Sequence, residues 1–436
     1  MGGSVVRWTV HGEDLINSVL KRSLGFASER SPQLVSVIDP GTEYAKALVA
    51  RVEGDRVVVI GEGIDRHAEL PFERGGRAVD LRLRQACDRA LRCAEDMTES
   101  IVGYKCVPDH VLITLPAHLV RQAAFTVRQK RQSPGQAISN REFGQVLSRA
   151  ERLAVQQLAG LLGVSKAEVV LLAAEVMDIK VDGHSVSNPV GFYGSTLSVT
   201  LFNALVRSQS MGIVERLSEH LELEILRAIP LEYALTDCLP MEEAILVDMG
   251  SALTSVVWAR SGCPMRMTTV NRGSRDLTLR LAAAIGLSPE QAEVLKLKYA
   301  LGELAAGTAQ AVRQQLAEGV LEWAARVESA LAAISAKSSL PPYMYLCGGG
   351  VELSDVLETV RRFPWLRHLS FACYPEVRLW GPGQIPGVFN QTGRAWGHEM
   401  TGSVALARWA VPRRIRHVSS TEVLGRIVRQ TVQVYS

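Results

Sequence analysis

The segment Val35-Ser-Val-Ile-Asp-Pro-Gly-Thr-Glu-Tyr-Ala-Lys-Ala-Leu-Val49 returns in altered form at Ala244-Ile-Leu-Val-Asp-Met-Gly-Ser-Ala-Leu-Thr-Ser-Val-Val-Trp258. Each copy is an apolar run, then Asp-x-Gly, a hydroxyl residue and a second apolar run. That order predicts strand, tight turn, strand, with a glycine that lets backbone N–H groups come close to an anion. The acid at the tip repels phosphate, but it can hold a divalent cation that bridges to phosphate oxygens. Asp39 and Asp248 are therefore the candidate metal-holding residues. Two such hairpins in one chain predict two related half-domains gripping one nucleotide.

A third glycine element completes the set. Pro342-Tyr-Met-Tyr-Leu-Cys-Gly-Gly-Gly350 is a short apolar strand ending in three glycines, and Val351-Glu-Leu-Ser-Asp-Val opens a helix behind it. Strand, glycine turn and helix start make a place where backbone can touch a ligand closely.

The 436 residues, 47% hydrophobic and 21% charged, are enough for two or more globular domains. A net charge of +3 with no Lys/Arg run among aromatics gives no support to a nucleic-acid partner. The seven cysteines are scattered without a CxxC pair, which fits reduced thiols and none of the common zinc spacings. The chain lacks an uncharged apolar stretch long enough to span a bilayer, and charges interrupt every apolar run of the first 30 residues, so neither a spanning helix nor a signal peptide is expected.

Along the chain, strands are expected at Leu34–Asp39, Ala45–Val52, Val57–Gly63 and His110–Leu115. A helix is expected over 77–100, with Leu81, Leu83, Ala86, Ala90, Leu91 and Ala94 as its inner face. Ser139-Asn-Arg-Glu142 fits a helix cap, Glu168–Ile179 reads as a strand, and Asp182-Gly183 as a hairpin turn. This block reads as a small inserted α+β domain. Ser195–Asn203 reads as the next strand of the main body. Helices over Ser208–Glu219, two within Gly273–Leu301, one over 303–336 and one over Gly402–Ala410 alternate with strands at Glu222–Pro230 and in the second hairpin. The order is that of an α/β protein in two halves.

With these residues in place the chain resembles the actin-like ATPase superfamily, and within it the bacterial cell-division protein FtsA. The first phosphate motif is Asp39-Pro-Gly-Thr42 with Lys46, the second is Asp248-Met-Gly250 with Thr254, and the adenosine motif is Gly348-Gly-Gly350. Asn188-Pro-Val-Gly-Phe-Tyr-Gly194 is similar to the re-entry loop of that family, and Ala292–Tyr299 to its nucleotide-side helix, with Glu293 and Lys296 toward ribose and adenine. The resemblance implies an actin-like (ribonuclease H-like) two-lobed fold with an inserted SHS2-type subdomain. Its implied divisions are an extension over 1–33, the first lobe over 34–106 and 188–242, the insert over 107–187, the second lobe over 243–410, and a tail over 411–436. The nucleotide-contacting set it implies is Asp39, Gly41, Thr42, Lys46, Asp248, Gly250, Ser251, Thr254, Gly273, Glu293, Lys296, Gly348, Gly349 and Gly350. ATP and Mg²⁺ are the implied cofactors.

The implied function is a self-assembling scaffold that tethers the tubulin-like division protein to the inner face of the cell membrane. Residues 411–436 carry five Arg against one Glu. At helical spacing Val423, Leu424, Ile427, Val428, Thr431, Val434 and Tyr435 share one face, which suits an anionic membrane surface. The same pattern also fits a terminal helix or strand packed on the body. The second phosphate hairpin departs from the family: Gly250-Ser-Ala-Leu-Thr-Ser255 places side chains at 251 and 252 where glycines are usual and has no second acid. A scaffold that binds nucleotide with at most weak turnover follows. PilM of the type IV pilus machinery has a similar loop, so a pilus scaffold is the alternative. A small-molecule kinase with Asp248 as base or metal holder is a third.

Overall fold

A computed structural model describes residues 33–67, 77–336 and 338–411. Apart from Gln33 and Val411, the N-terminal extension and the basic tail lie outside the described residues. The chain divides into two compact units, Gln33–Ala117 with Leu217–Val411, and a second that includes His118–Arg216.

Among the described residues the strands are, in chain order, β1 (Leu34–Pro40), β2 (Tyr44–Glu53), β3 (Arg56–Arg66), β4 (His110–Leu115), β5 (Val120–Lys130), β6 (Val169–Val181), β7 (His184–Ser185), β8 (Thr196–Arg207), β9 (Glu224–Pro230), β10 (Glu243–Met249), β11 (Thr254–Arg260), β12 (Cys263–Val270), β13 (Tyr343–Cys347), β14 (Glu376–Leu379) and β15 (Val388–Asn390). The larger unit holds two sheets, ordered β15-β3-β2-β1-β4-β9 and β12-β11-β10-β13-β14. Setting β15 aside, both are one design: three antiparallel strands, then two parallel ones beside the first. The duplication extends to register. Asp39 lies opposite Lys46, and Asp248 lies opposite Ser255, across hairpins of equal length. Ser255 therefore holds the position that Lys46 holds in the first hairpin.

The central strands read as unbroken apolar runs because both of their faces are buried, as parallel pairing requires. Val35, Val37 and Ile38 in β1 and Ile245, Leu246 and Val247 in β10 are inaccessible to solvent. The helix Arg77–Val102 comes backbone to backbone with β3 at Gly61 and Gly63. A Cβ at Gly61 or Gly63 would overlap the carbonyl oxygen of Ala94 or Ala90. Leu83, Ala86, Ala90, Leu91 and Ala94 form its buried stripe, but Leu81, read as a sixth member, is 45% exposed. Behind the second sheet, the helices Ser274–Ile285 and Pro289–Ala300 and the long helix Ala306–Ser335 bring Leu277, Leu281, Leu316, Trp323 and Val327 into one core with Ile245 and Val256.

The smaller unit is a four-stranded antiparallel sheet, β5-β8-β6-β7, with the helix Asn140–Leu162 against it. Ser139 caps that helix by accepting a hydrogen bond from the Glu142 N–H at 3.1 Å. Asp182 (φ 47°) and Gly183 (φ 88°) form the turn between β6 and β7. Strand β8, read from sequence as part of the main body, instead pairs with both β5 and β6 here. Its alternating apolar face suits either sheet, so sequence does not choose between them.

The core under this helix is two apolar clusters, one around Phe143 and Val199, the other around Leu158 and Leu205. Between them sit Glu151 on the helix and Asn203 on β8. Among the described residues neither Asn203 amide atom has a hydrogen-bond partner, nor does one Glu151 oxygen. Burial raises the Glu151 carboxyl to about 7. A raised carboxyl pKa means that the folded state keeps its proton to higher pH than the unfolded one, so stability falls as pH rises from about 4.5 to 7. Glu151→Leu is expected to stabilise the chain by about 2–3 kcal/mol at pH 8 and by much less at pH 5, read from urea melts. An equal gain at both pH values would show that lost charge burial is not the source.

Candidate nucleotide cleft

Both Asp-x-Gly hairpins and the triple glycine meet in the larger unit. Asp39, at the end of β1, is 4% exposed. Its Oδ1 accepts from Thr114 Oγ1 on β4 at 2.9 Å, and its Oδ2 accepts from Lys46 Nζ at 3.2 Å and from Ser403 Oγ at 3.5 Å. Burial works against the Lys46 charge, yet Asp39, Asp248 and Glu399 together hold that ammonium above its usual range. Asp248, at the end of β10, is pushed up to about 6, chiefly by burial and further by Asp39, with Lys46 opposing. Cys347 Sγ donates to Asp248 Oδ1 at 3.7 Å. The two carboxylates thus share one ammonium and crowd each other. That is where a divalent cation would find unspent negative charge.

The triple glycine lies against the second hairpin because β13 pairs in parallel with β10, setting Cys347 beside Asp248. Gly348 has φ 88°, and a Cβ there would overlap Asp248 Oδ1 and lie 2.7 Å from the Met249 carbonyl oxygen. A Cβ on Gly350 would meet the Met249 side chain at 2.5 Å, and one on Gly349 would lie 3.2 Å from Glu399 Cβ. Packing against Asp248, Met249 and Glu399 leaves little room for side chains here and holds the backbone of the turn beside an acid.

In the first hairpin, the Gly41 N–H donates to the Asp39 carbonyl at 3.0 Å, and Thr42 is half-buried in the turn. In the second, the Gly250 N–H donates to the Leu253 carbonyl at 2.9 Å. Among the described residues, Ser251 and Ala252 are not in the left-handed region. The side chains that replace the usual glycines therefore carry no backbone strain. Thr254 is buried and spent on structure: its Oγ1 donates to the Arg272 carbonyl at 2.8 Å and accepts from Trp323 Nε1 at 2.9 Å. Gly273 lies against the loop, where a Cβ would overlap the Gly250 and Ser251 carbonyls. The next two N–H groups, of Ser274 and Arg275, donate to those same carbonyls at 3.0 and 2.9 Å.

Glu293 and Lys296 are buried as a pair at 2.8 Å. Lys296 also donates to Thr278 Oγ1 at 2.7 Å and to the Ser274 carbonyl at 3.2 Å. They sit close enough to the first hairpin that Lys296 lowers the pKa of Glu43 and Glu293 raises that of Tyr44.

Five residues around the two hairpins escape a motif reading. Thr114 and Ser403 hold Asp39 from other elements, and Glu399 adds a carboxylate near Lys46. Glu43 was in view in the loop, but its partner is 208 residues away: Ser251 Oγ donates to Glu43 Oε2. Arg66 Nη2 and Nε donate to Glu43 Oε1 at 2.6 and 3.0 Å. The missed signal was the acid itself, inside a loop expected to face phosphate. Among the described residues no three His, Cys, Asp or Glu side chains cluster as a metal site. A cation at Asp39 and Asp248 would complete its shell with water and phosphate oxygens. The two acids and the ammonium between them fit a Mg²⁺-nucleotide.

Doubled sheets with facing Asp-x-Gly hairpins define the two-lobed actin-like fold, of α/β, ribonuclease H-like architecture. Among solved structures the chain is similar to a chain of a PilM–PilN type IV pilus biogenesis complex, with a TM-score of 0.62 and 16% identity over 88% of this chain and 100% of that one. It is also similar to the ethanolamine utilization protein EutJ from Carboxydothermus hydrogenoformans, with a TM-score of 0.47 and 12% identity over 89% and 97% of the two chains. No family model matches the sequence, and no curated protein matches it. Among the described residues no helix is long and apolar enough to cross a membrane.

Proposed function

We propose that this chain is an actin-like scaffold that binds Mg²⁺-ATP between its two hairpins, turns it over weakly if at all, and assembles with itself and with a membrane-associated partner. One observation carries the reading: Asp39 and Asp248, at matched places in the two hairpins, act on one ammonium, Lys46, with Gly348 packed against Asp248. The motifs favour a division scaffold that tethers the tubulin-like protein at the inner membrane surface. The likeness to a pilus-complex chain over the whole of that chain favours a pilus scaffold that docks a short segment of a membrane partner. Binding to the purified tubulin-like protein, set against binding to a pilus-machinery peptide, separates the two.

The nucleotide reading is tested by calorimetry with Mg²⁺-ATP on the intact chain and on Asp39→Ala. Micromolar binding weakened about 100-fold or more in the variant is expected, because the buried carboxylate both holds the cation and positions Lys46. Equal binding by the two proteins would remove Asp39 from the site.

A further inference from the structure

We propose that Glu43 occupies the position of a bound phosphate group, and that Ser251 and Arg66 are phosphate ligands which it holds in reserve. The inference rests on the nucleotide reading above. Glu43 belongs to the first hairpin and is 4% exposed. One of its oxygens accepts from Ser251 Oγ on the second hairpin; the other takes a two-nitrogen grip from the Arg66 guanidinium. Burial opposes its charge, but Ser251 and Arg66, with Lys296 beyond them, hold its carboxyl below the usual range, so it is an anion at neutral pH. An anion held by a hydroxyl and a guanidinium between two phosphate hairpins has the contacts that a phosphate oxygen would make there.

Two consequences follow from charge. A polyphosphate cannot enter beside Glu43, since like charges at contact distance repel. Entry requires the Glu43 side chain to leave, and the site then presents Ser251 and Arg66 already oriented by neighbouring elements. Arg66 is fixed by β3 in register with Tyr44, and Ser251 by its carbonyl, which accepts the Arg275 N–H. While Glu43 is in place it also ties the first hairpin to the second, so the same exchange that admits phosphate unties the two lobes. Apparent affinity is then reduced by the fraction of molecules in which Glu43 is out.

The test is calorimetry of Mg²⁺-ATP, and separately of adenosine, on the intact chain, Glu43→Gln, Glu43→Ala, and Glu43→Ala combined with Arg66→Ala. A thermal melt of each checks that it is folded. The expected result is a gain in Mg²⁺-ATP affinity of about tenfold or more in both single variants, no change for adenosine, and loss of the gain in the double variant. Equal Mg²⁺-ATP affinity in the intact chain and the folded single variants would overturn the exchange while leaving the nucleotide reading standing. A gain shared equally by adenosine would overturn it too, since the effect would not lie at the phosphate. No binding by any of the four proteins would overturn the nucleotide reading itself, and this inference with it.

Discussion

Gly348→Val is expected to abolish Mg²⁺-nucleotide binding and to remove about 2–6 kcal/mol of stability. Two costs add. A side chain at φ 88° and ψ 161°, a region essentially confined to glycine, strains the backbone by about 1–3 kcal/mol. Its Cβ would also overlap Asp248 Oδ1 and crowd the Met249 carbonyl at 2.7 Å, and overpacking of that kind costs about 1–3 kcal/mol. Neither is easily relieved, because β10 and β13 are locked in parallel register from Ile245 to Asp248. Urea melts and calorimetry check both parts. Gly383→Val is the control: it has open space around it and a backbone any residue adopts, and it should stay within about 0.5 kcal/mol of the parent. A Gly348→Val protein as stable as that control would show that the glycine turn is not close-packed.

Asp248→Asn is expected to move stability and binding in opposite directions. The Asp248 carboxyl is raised to about 6 against 3.8 for a free one, chiefly by burial. The unfolded chain therefore gives up this proton at lower pH than the folded one, and stability from this group falls as pH climbs from about 4 to 6. Asparagine removes that loss. The variant should exceed the parent by about 1–3 kcal/mol above pH 6.5 and match it near pH 4, followed by thermal melts across that range. Binding of Mg²⁺-ATP should meanwhile weaken about 100-fold, since one of the two carboxylates proposed to hold the cation is gone. A variant that gains no stability at pH 7 would mean that Lys46 already compensates the charge. One that binds normally would take Asp248 out of the site.

What was legible in the sequence was what local chemistry dictates. Asp-Pro-Gly and Asp-Met-Gly between apolar runs specify hairpins within a dozen residues, and both stand where expected. So do the helices split at Gly286, a left-handed helix stop at φ 68°. What was not legible depends on partners far along the chain. Nothing near Val120–Lys130 marks it as a strand, because its burial pattern is set by β8. Leu81 obeys the helical spacing of its neighbours, but spacing does not say how wide the covering strand is. Glu293 and Lys296 carried the right charges for a ribose-facing helix. That they would turn onto each other, Thr278 and Ser274 depends on the helix packed beside them. The Glu43–Ser251 contact joins two loops, each of which looked complete by itself.

The placement of Ser403 and β15 sets an order of events as the polypeptide leaves the ribosome. The second sheet closes only when β13 and β14, over Tyr343–Cys347 and Glu376–Leu379, have come to lie beside β10. The first sheet waits longer still. Its edge strand β15 adds to β3, Trp396 hydrogen-bonds Glu62 across 334 residues, and Ser403 reaches Asp39 across 364. The lobe begun first is finished last. A nascent chain thus carries an unfinished first lobe until nearly all of the described residues have emerged.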